Sequence, residues 1–180
     1  AATYQSGGHF VVTPQQAVPA RYIDPKAKNR SRLHYQLANL HASRMESGAM
    51  ALLTDERGFI AEGTGSNVFI VKDGEILTPK PHDILRGVSR QACMDFAGEL
   101  GIPLREADID PYDVRTADEI WATSTPFVMI PITRFDFRTI GNGKPGPIYT
   151  RVLSAWSEEV GVNILRQAVE YAELMKTWTP

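Results

Sequence analysis

The run from Asn67 to Pro79, NVFIVKDGEILTP, constrains the fold more tightly than any other part of the chain. Two apolar stretches flank Lys72-Asp73-Gly74, and an Asp-Gly pair supplies the positive backbone φ angles that a tight hairpin turn needs. Two adjacent antiparallel strands are therefore predicted. Another strand pair is expected upstream, where AMALLTD and FIAEG are separated by the turn ERG, and EIWATSTPFVMIPITRFDF supplies two more around Ser124-Thr125-Pro126. IPLREADI reads as a further strand. Hairpins rather than strict strand–helix–strand alternation predict an α+β chain with a largely antiparallel sheet.

The helical signals lie between these strands. From Ser31, the residues Leu33, Leu37, Leu40 and Met45 recur at helical spacing until Gly48 stops the run. GVSRQACMDFAGELG is a second amphipathic helix ending in Gly101, PYDVRTAD a short helical connector, and the tail from Ile148 is largely helical. Before Lys28 the chain reads differently. Gly7, Gly8, Pro14, Pro19 and Pro25 interrupt short apolar pieces such as HFVV, and prolines at that density suggest an extended connector.

Composition narrows the classes of partner. A formal charge of −2 gives no support for a nucleic-acid or anionic-membrane surface, and no apolar run approaches a bilayer span. Cys93 is the single cysteine, so no internal disulfide forms and a reducing, cytoplasmic setting is the default expectation. His9, His34, His41 and His82 lack metal-ligand spacing, and no metal site is expected. The chain opens on Ala rather than Met and reads as trimmed or processed.

Four places could carry chemistry. Lys28 precedes the first helix in a basic cluster with Lys26, Arg30 and Arg32; it fits a solvated lysine, or a Schiff-base lysine whose amine is made reactive by flanking cations. Glu62 abuts the small-residue turn GTGSN. It fits a turn carboxylate, or one that keeps a flat heteroaromatic ring protonated where small residues let the ring come close. Gly87 opens a helix; it fits an ordinary helix start without a ligand, or one whose first N–H groups, at Val88 and Ser89, seat a phosphate. Ser124 and Thr125 end a strand before a proline, where Thr125 could donate to a phosphate oxygen. His34 and Tyr35 fall on the first helix, where packing or surface roles are the default.

In this order, the lysine before SRLHYQLA, then EGTGSN leading into VFIVKDGEILTP, ILRGVSR, ADEIWATST and IPITRFD resemble the fold-type IV pyridoxal-phosphate enzymes. That family includes branched-chain and D-amino-acid aminotransferases and aminodeoxychorismate lyases, and the resemblance runs from about Asp24 to Arg151. It implies a strongly curved, mostly antiparallel sheet flanked by helices, with pyridoxal 5'-phosphate as cofactor. It implies that Lys28 bonds the cofactor and Glu62 faces its ring nitrogen. Leu85 would pack on one ring face, while Gly87, Val88, Ser89, Ser124 and Thr125 hold the phosphate. Transfer of an amino group between a branched-chain-like amino acid or amine and a 2-oxo acid is the implied activity, and a homodimer the implied assembly. Branched-chain enzymes place a tyrosine five residues after the lysine; here Leu33 stands there, preceded by Arg32, a pattern closer to that of the lyases. A lyase, or a non-catalytic cofactor-binding fragment, is therefore the alternative. By the same resemblance residues 1–26 are an interdomain linker and lead-in, 27–180 the cofactor-binding large domain, and a small N-terminal domain is expected to be absent.

Overall fold

The computed structural model describes residues 2–29 and 31–177. The chain enters through a short helix α1 (Ala2–Ser6) into strand β1 (Gly8–Gln16) and, after a connector, helix α2 (Leu33–Met45). Strands β2 (Met50–Thr54), β3 (Ile60–Gly63), β4 (Asn67–Lys72) and β5 (Glu75–Pro79) follow, then helix α3 (Val88–Glu99). Strand β6 (Leu104–Ala107), helix α4 (Pro111–Arg115) and strands β7 (Glu119–Ser124), β8 (Val128–Phe135) and β9 (Arg138–Thr139) lead to helices α5 (Pro147–Glu159) and α6 (Ile164–Thr177).

The strands lie in the order β3-β2-β1-β8-β7-β4-β5-β6, with β9 beside β8. The predicted hairpin forms with Ile70 opposite Leu77 and Lys72 opposite Glu75, and Asp73 and Gly74 take φ values of 51° and 79°. Five strand pairings are antiparallel, and three, β1–β2, β1–β8 and β5–β6, are parallel.

Strand periodicity divides the core in two. Val68 and Ile70 of β4, Ile120 and Ala122 of β7, and Ile130 and Ile132 of β8 point into one cluster with Phe10, Leu52 and Ile60. That cluster draws on strands from across the sheet, so the sheet must curl to bring them together. The intervening residues Phe69, Trp121 and Met129 face the other way, against Cys93, Phe96 and Ala97 of α3 and Val152 and Leu153 of α5. This is the α+β arrangement expected, a curled sheet flanked by helices.

Two expectations need correction. The lead-in expected over residues 1–26 contains an inner strand: β1 is hydrogen-bonded to β2 on one side and β8 on the other, and Phe10 and Val11 are buried. Pro14 is tolerated because it falls where the β1–β2 register breaks between Val12 and Gln16, so its missing N–H interrupts no ladder bond there. Between β1 and α2, the described residues of the stretch 17–32 form the connector, without helix or strand. The helix predicted from Ser31 begins at Leu33, and its leucines do not pack inward. Leu33, Leu37 and Leu40 are exposed, whereas Ala38 and Ala42 meet Val11 and Ala51 of the sheet. Alanines let helix and sheet approach closely; the leucines then lie on the outer face.

Candidate active site

The end of β3, the connector before α2, the start of α3 and the end of β7 enclose a cavity of about 760 Å³. Lys28, Glu62, Leu85, Gly87, Val88, Ser89, Ser124 and Thr125 all line it. The fold thus gathers four separated stretches of sequence around one space.

Glu62 is the most constrained of them. Its place in a four-residue strand buried on both faces leaves the residue only 7% exposed. Oε1 accepts from Tyr35 Oη at 2.9 Å and Oε2 from the Leu85 N–H at 2.9 Å. Among the described residues no lysine or arginine forms an ion pair with it. Burial pushes its carboxyl above the usual range, opposed by the Leu85 and Tyr35 hydrogen bonds and by the charges of Arg32 and Lys28.

The turn after Glu62 is closed by a hydrogen bond from Gly63 N–H to Ser66 O at 2.9 Å, and any Cβ at Gly63 would collide with Ser66 Oγ. Gly65, by contrast, faces open space on the cavity side. Asn67, at the start of β4, donates through Nδ2 to Leu85 O at 2.9 Å. Its Oδ1 also occupies the volume a Cβ at Gly87 would need. Glycine at 87 is thus a packing requirement, and Asn67 ties the segment before α3 to the sheet.

Gly87 is the N-cap of α3 and offers no side chain, so the first-turn N–H groups lack a side-chain cap. Ser89 is buried while Val88 is exposed. Across the cavity, the β7–β8 turn carries Ser124 and Thr125, and it returns through Val128 at φ 58°, a left-handed conformation uncommon for a β-branched residue. Thr123, just before them, is buried with its hydroxyl unpaired and also lines the cavity.

Lys28 sits on the exposed connector. The cations expected to surround it are engaged elsewhere. Lys26 pairs with Asp24 at 3.1 Å, and Arg32 donates to Thr64 O while stacking on the Tyr35 ring at 4.2 Å; Arg30 lies outside the described residues. Cys93, on the buried face of α3, does not line the cavity, and burial pushes its thiol up to about 12.

Sequence reasoning missed Arg32, Tyr35, Asn67 and Thr123 as cavity residues. A tyrosine on an amphipathic helix is ordinarily packing or surface. Only the docking of α2 on β1 and β2 turns Tyr35 toward Glu62 on the neighbouring β3, and no motif signals that.

The amino-transferase class IV family matches residues 3–135. A putative branched-chain-amino-acid aminotransferase of Methanocaldococcus jannaschii is 33% identical over 145 residues, 80% of this chain and 50% of that protein. A D-alanine aminotransferase of Listeria innocua is 39% identical over 102 residues, 56% of this chain and 35% of that one. The crystal structure of branched-chain amino acid aminotransferase from Thermobaculum terrenum, in its PLP-form, superimposes with a TM-score of 0.79 at 28% identity, covering 85% of this chain and 51% of that one. The chain therefore spans about half the length, or less, of these relatives.

Proposed function

The chain belongs to the amino-transferase class IV family, and from that premise we propose that it binds pyridoxal 5'-phosphate and serves amino-group transfer between an amino acid and a 2-oxo acid. The observation that carries the reading is Glu62: a buried carboxylate, held by two donors, lining a cavity and without a cationic partner among the described residues. An unpaired buried charge is costly, and a cationic ring N–H entering the cavity would pair it.

The residues present fit such a cofactor. Lys28 supplies the amine that bonds it covalently. Val88 and Ser89 offer backbone N–H groups at the positive end of α3, and the hydroxyls of Ser89, Ser124 and Thr125 complete a phosphate seat beside Gly87. Leu85 offers an apolar side chain for one ring face. When bound, the cofactor supplies an electron-withdrawing ring that stabilises negative charge on the substrate Cα. Glu62 keeps the ring nitrogen protonated. Once displaced by the incoming amine, Lys28 Nζ would be the base that moves a proton between the substrate Cα and C4′ of the cofactor.

Branched-chain-like amino acids are the donors this reading favours, and the matched relatives are named as transferases rather than lyases. In the same reading the cofactor-binding domain of residues 27–180 takes in β1 as well, the protein works as a homodimer, and it resides in the cytoplasm. Among the described residues, no helix is long and apolar enough to cross a membrane. The test is borohydride treatment of the protein loaded with pyridoxal 5'-phosphate, followed by peptide mass analysis. The cofactor should be found on Lys28; label on Lys26, or on no lysine, overturns the assignment. A panel of amino donors then decides the substrate.

A further inference from the structure

The chemistry above gives Glu62 a task but leaves its closest side-chain neighbour without one. Tyr35 lies in the first turn of α2, and its Oη donates to Glu62 Oε1 at 2.9 Å. The phenol is itself held. The Arg32 guanidinium lies 4.2 Å from its ring centroid, and the ring of its chain neighbour His34 lies 3.9 Å away. Arg32 is anchored in turn on Thr64 O, at the turn that follows β3. The guanidinium is therefore near Glu62 without forming an ion pair with it.

We propose that Tyr35 is a positioning residue whose hydroxyl holds the Glu62 carboxylate as an anion, with fixed orientation, before any ligand enters the cavity. The inference deepens the proposed function and rests on it for its consequence, though not for its test. Three features support it. A phenol is a neutral donor, so it favours the carboxylate form without cancelling the charge, as a paired arginine would. Burial first, then the Glu62 charge, raises the Tyr35 phenol above its ordinary value, so it stays a donor across the working range. Tyr35 and the Leu85 N–H approach different carboxylate oxygens from different parts of the fold, which sets the plane of the carboxylate as well as its charge. Ordering done by the protein in advance is ordering that binding need not supply.

The groups acting on Glu62 are the Leu85 N–H from the segment before α3, Tyr35 from α2, and the charges of Arg32 and Lys28 from the connector. The test therefore reads Glu62 itself. The cofactor-free protein is labelled with glutamate carrying ¹³C at the side-chain carboxyl and titrated by NMR, with the Glu62 resonance identified by its loss in Glu62→Gln. Tyr35→Phe should raise the Glu62 midpoint by about one pH unit or more, a tenfold gain in proton affinity or about 1.4 kcal/mol. Replacement of Tyr35 by 3-fluorotyrosine, which preserves the shape and strengthens the donor, should lower the midpoint. If Tyr35→Phe fails to fold, the 3-fluorotyrosine protein decides.

An unmoved midpoint in the protein that decides overturns the proposal. Failure of the broader reading looks different. In protein loaded with ring-¹⁵N pyridoxal 5'-phosphate, a nitrogen resonance unchanged by Glu62→Gln would remove Glu62 from the ring, while a moved midpoint would still establish Tyr35 as the group that sets its charge.

Discussion

Helices α2 and α3 are nearly equal in length and both begin at the cavity, yet they are held by different forces. Helix α3 buries Cys93, Phe96 and Ala97 against Phe69 and Trp121, with α5 packed beside it. Helix α2 buries Ala38 and Ala42 and leaves three leucines in solvent. Its first turns are tied to the sheet and the turn after β3 by polar contacts instead: Tyr35 Oη donates to Glu62, Arg32 to Thr64 O, and Thr64 Oγ1 to Asn39 Oδ1 at 2.8 Å. A helix fixed by a broad apolar face is a suitable mount for a rigid anion seat. One fixed by hydrogen bonds to site residues is energetically coupled to what happens in the site.

The comparison can be broken most forcefully at Phe96. Phe96→Ala removes a largely buried aromatic ring that contacts Trp156 at 5.5 Å between centroids, and should cost about 3–5 kcal/mol in urea unfolding. A loss below about 1 kcal/mol would mean that α3 is not held by this core. Gly87→Ala comes next. Its φ of −64° suits alanine, so the effect is steric: the new methyl displaces Asn67 and with it the bond to Leu85 O. About 1–3 kcal/mol of stability should go, as overpacking elsewhere costs, and pyridoxal 5'-phosphate should bind more weakly. Unchanged affinity would detach Gly87 from the phosphate seat.

The pH dependence sharpens the α2 side. Because burial raises Glu62 above its unfolded value, its contribution is present in full below the unfolded carboxylate range and is lost as pH rises through the folded midpoint. The cofactor-free Glu62→Gln protein should therefore gain stability relative to its parent as pH increases through that window. Taking the difference between the two proteins cancels carboxylates shifted the other way, such as Glu46 beside Arg134 and Asp108 beside Lys80. A difference in Tm that stays flat with pH would contradict a raised Glu62. The smallest effect belongs to the outer face of α2, where Leu37→Ala should change stability by no more than about 0.5 kcal/mol. A larger loss would show that Leu37 is packed rather than solvent-exposed.

Much of this molecule was legible from local chemistry. Asp73-Gly74 dictates its hairpin because few other dipeptides adopt two positive φ angles cheaply, and the alternation Val68-Phe69-Ile70-Val71 already encodes a strand buried on both faces. Gly87-Val88-Ser89 marks a helix start whatever lies around it. Glu62 and Lys28 stood out because a carboxylate beside a run of small residues and a lysine at a set distance before a helix are patterns written along the chain.

What lies across the chain was decided by tertiary structure. The place of β1 in the sheet depends on hydrogen bonds to strands that begin about 35 and 110 residues after it ends, and HFVV interrupted by prolines carries no local sign of parallel partners. The face of α2 that turns inward is chosen by how closely a helix can approach β1 and β2, which favours Ala38 and Ala42 over the leucines. That choice also rotates Tyr35 toward Glu62. Helical periodicity sets which residues share a face; only packing against the sheet decides which face is buried, and so which side chain reaches the carboxylate.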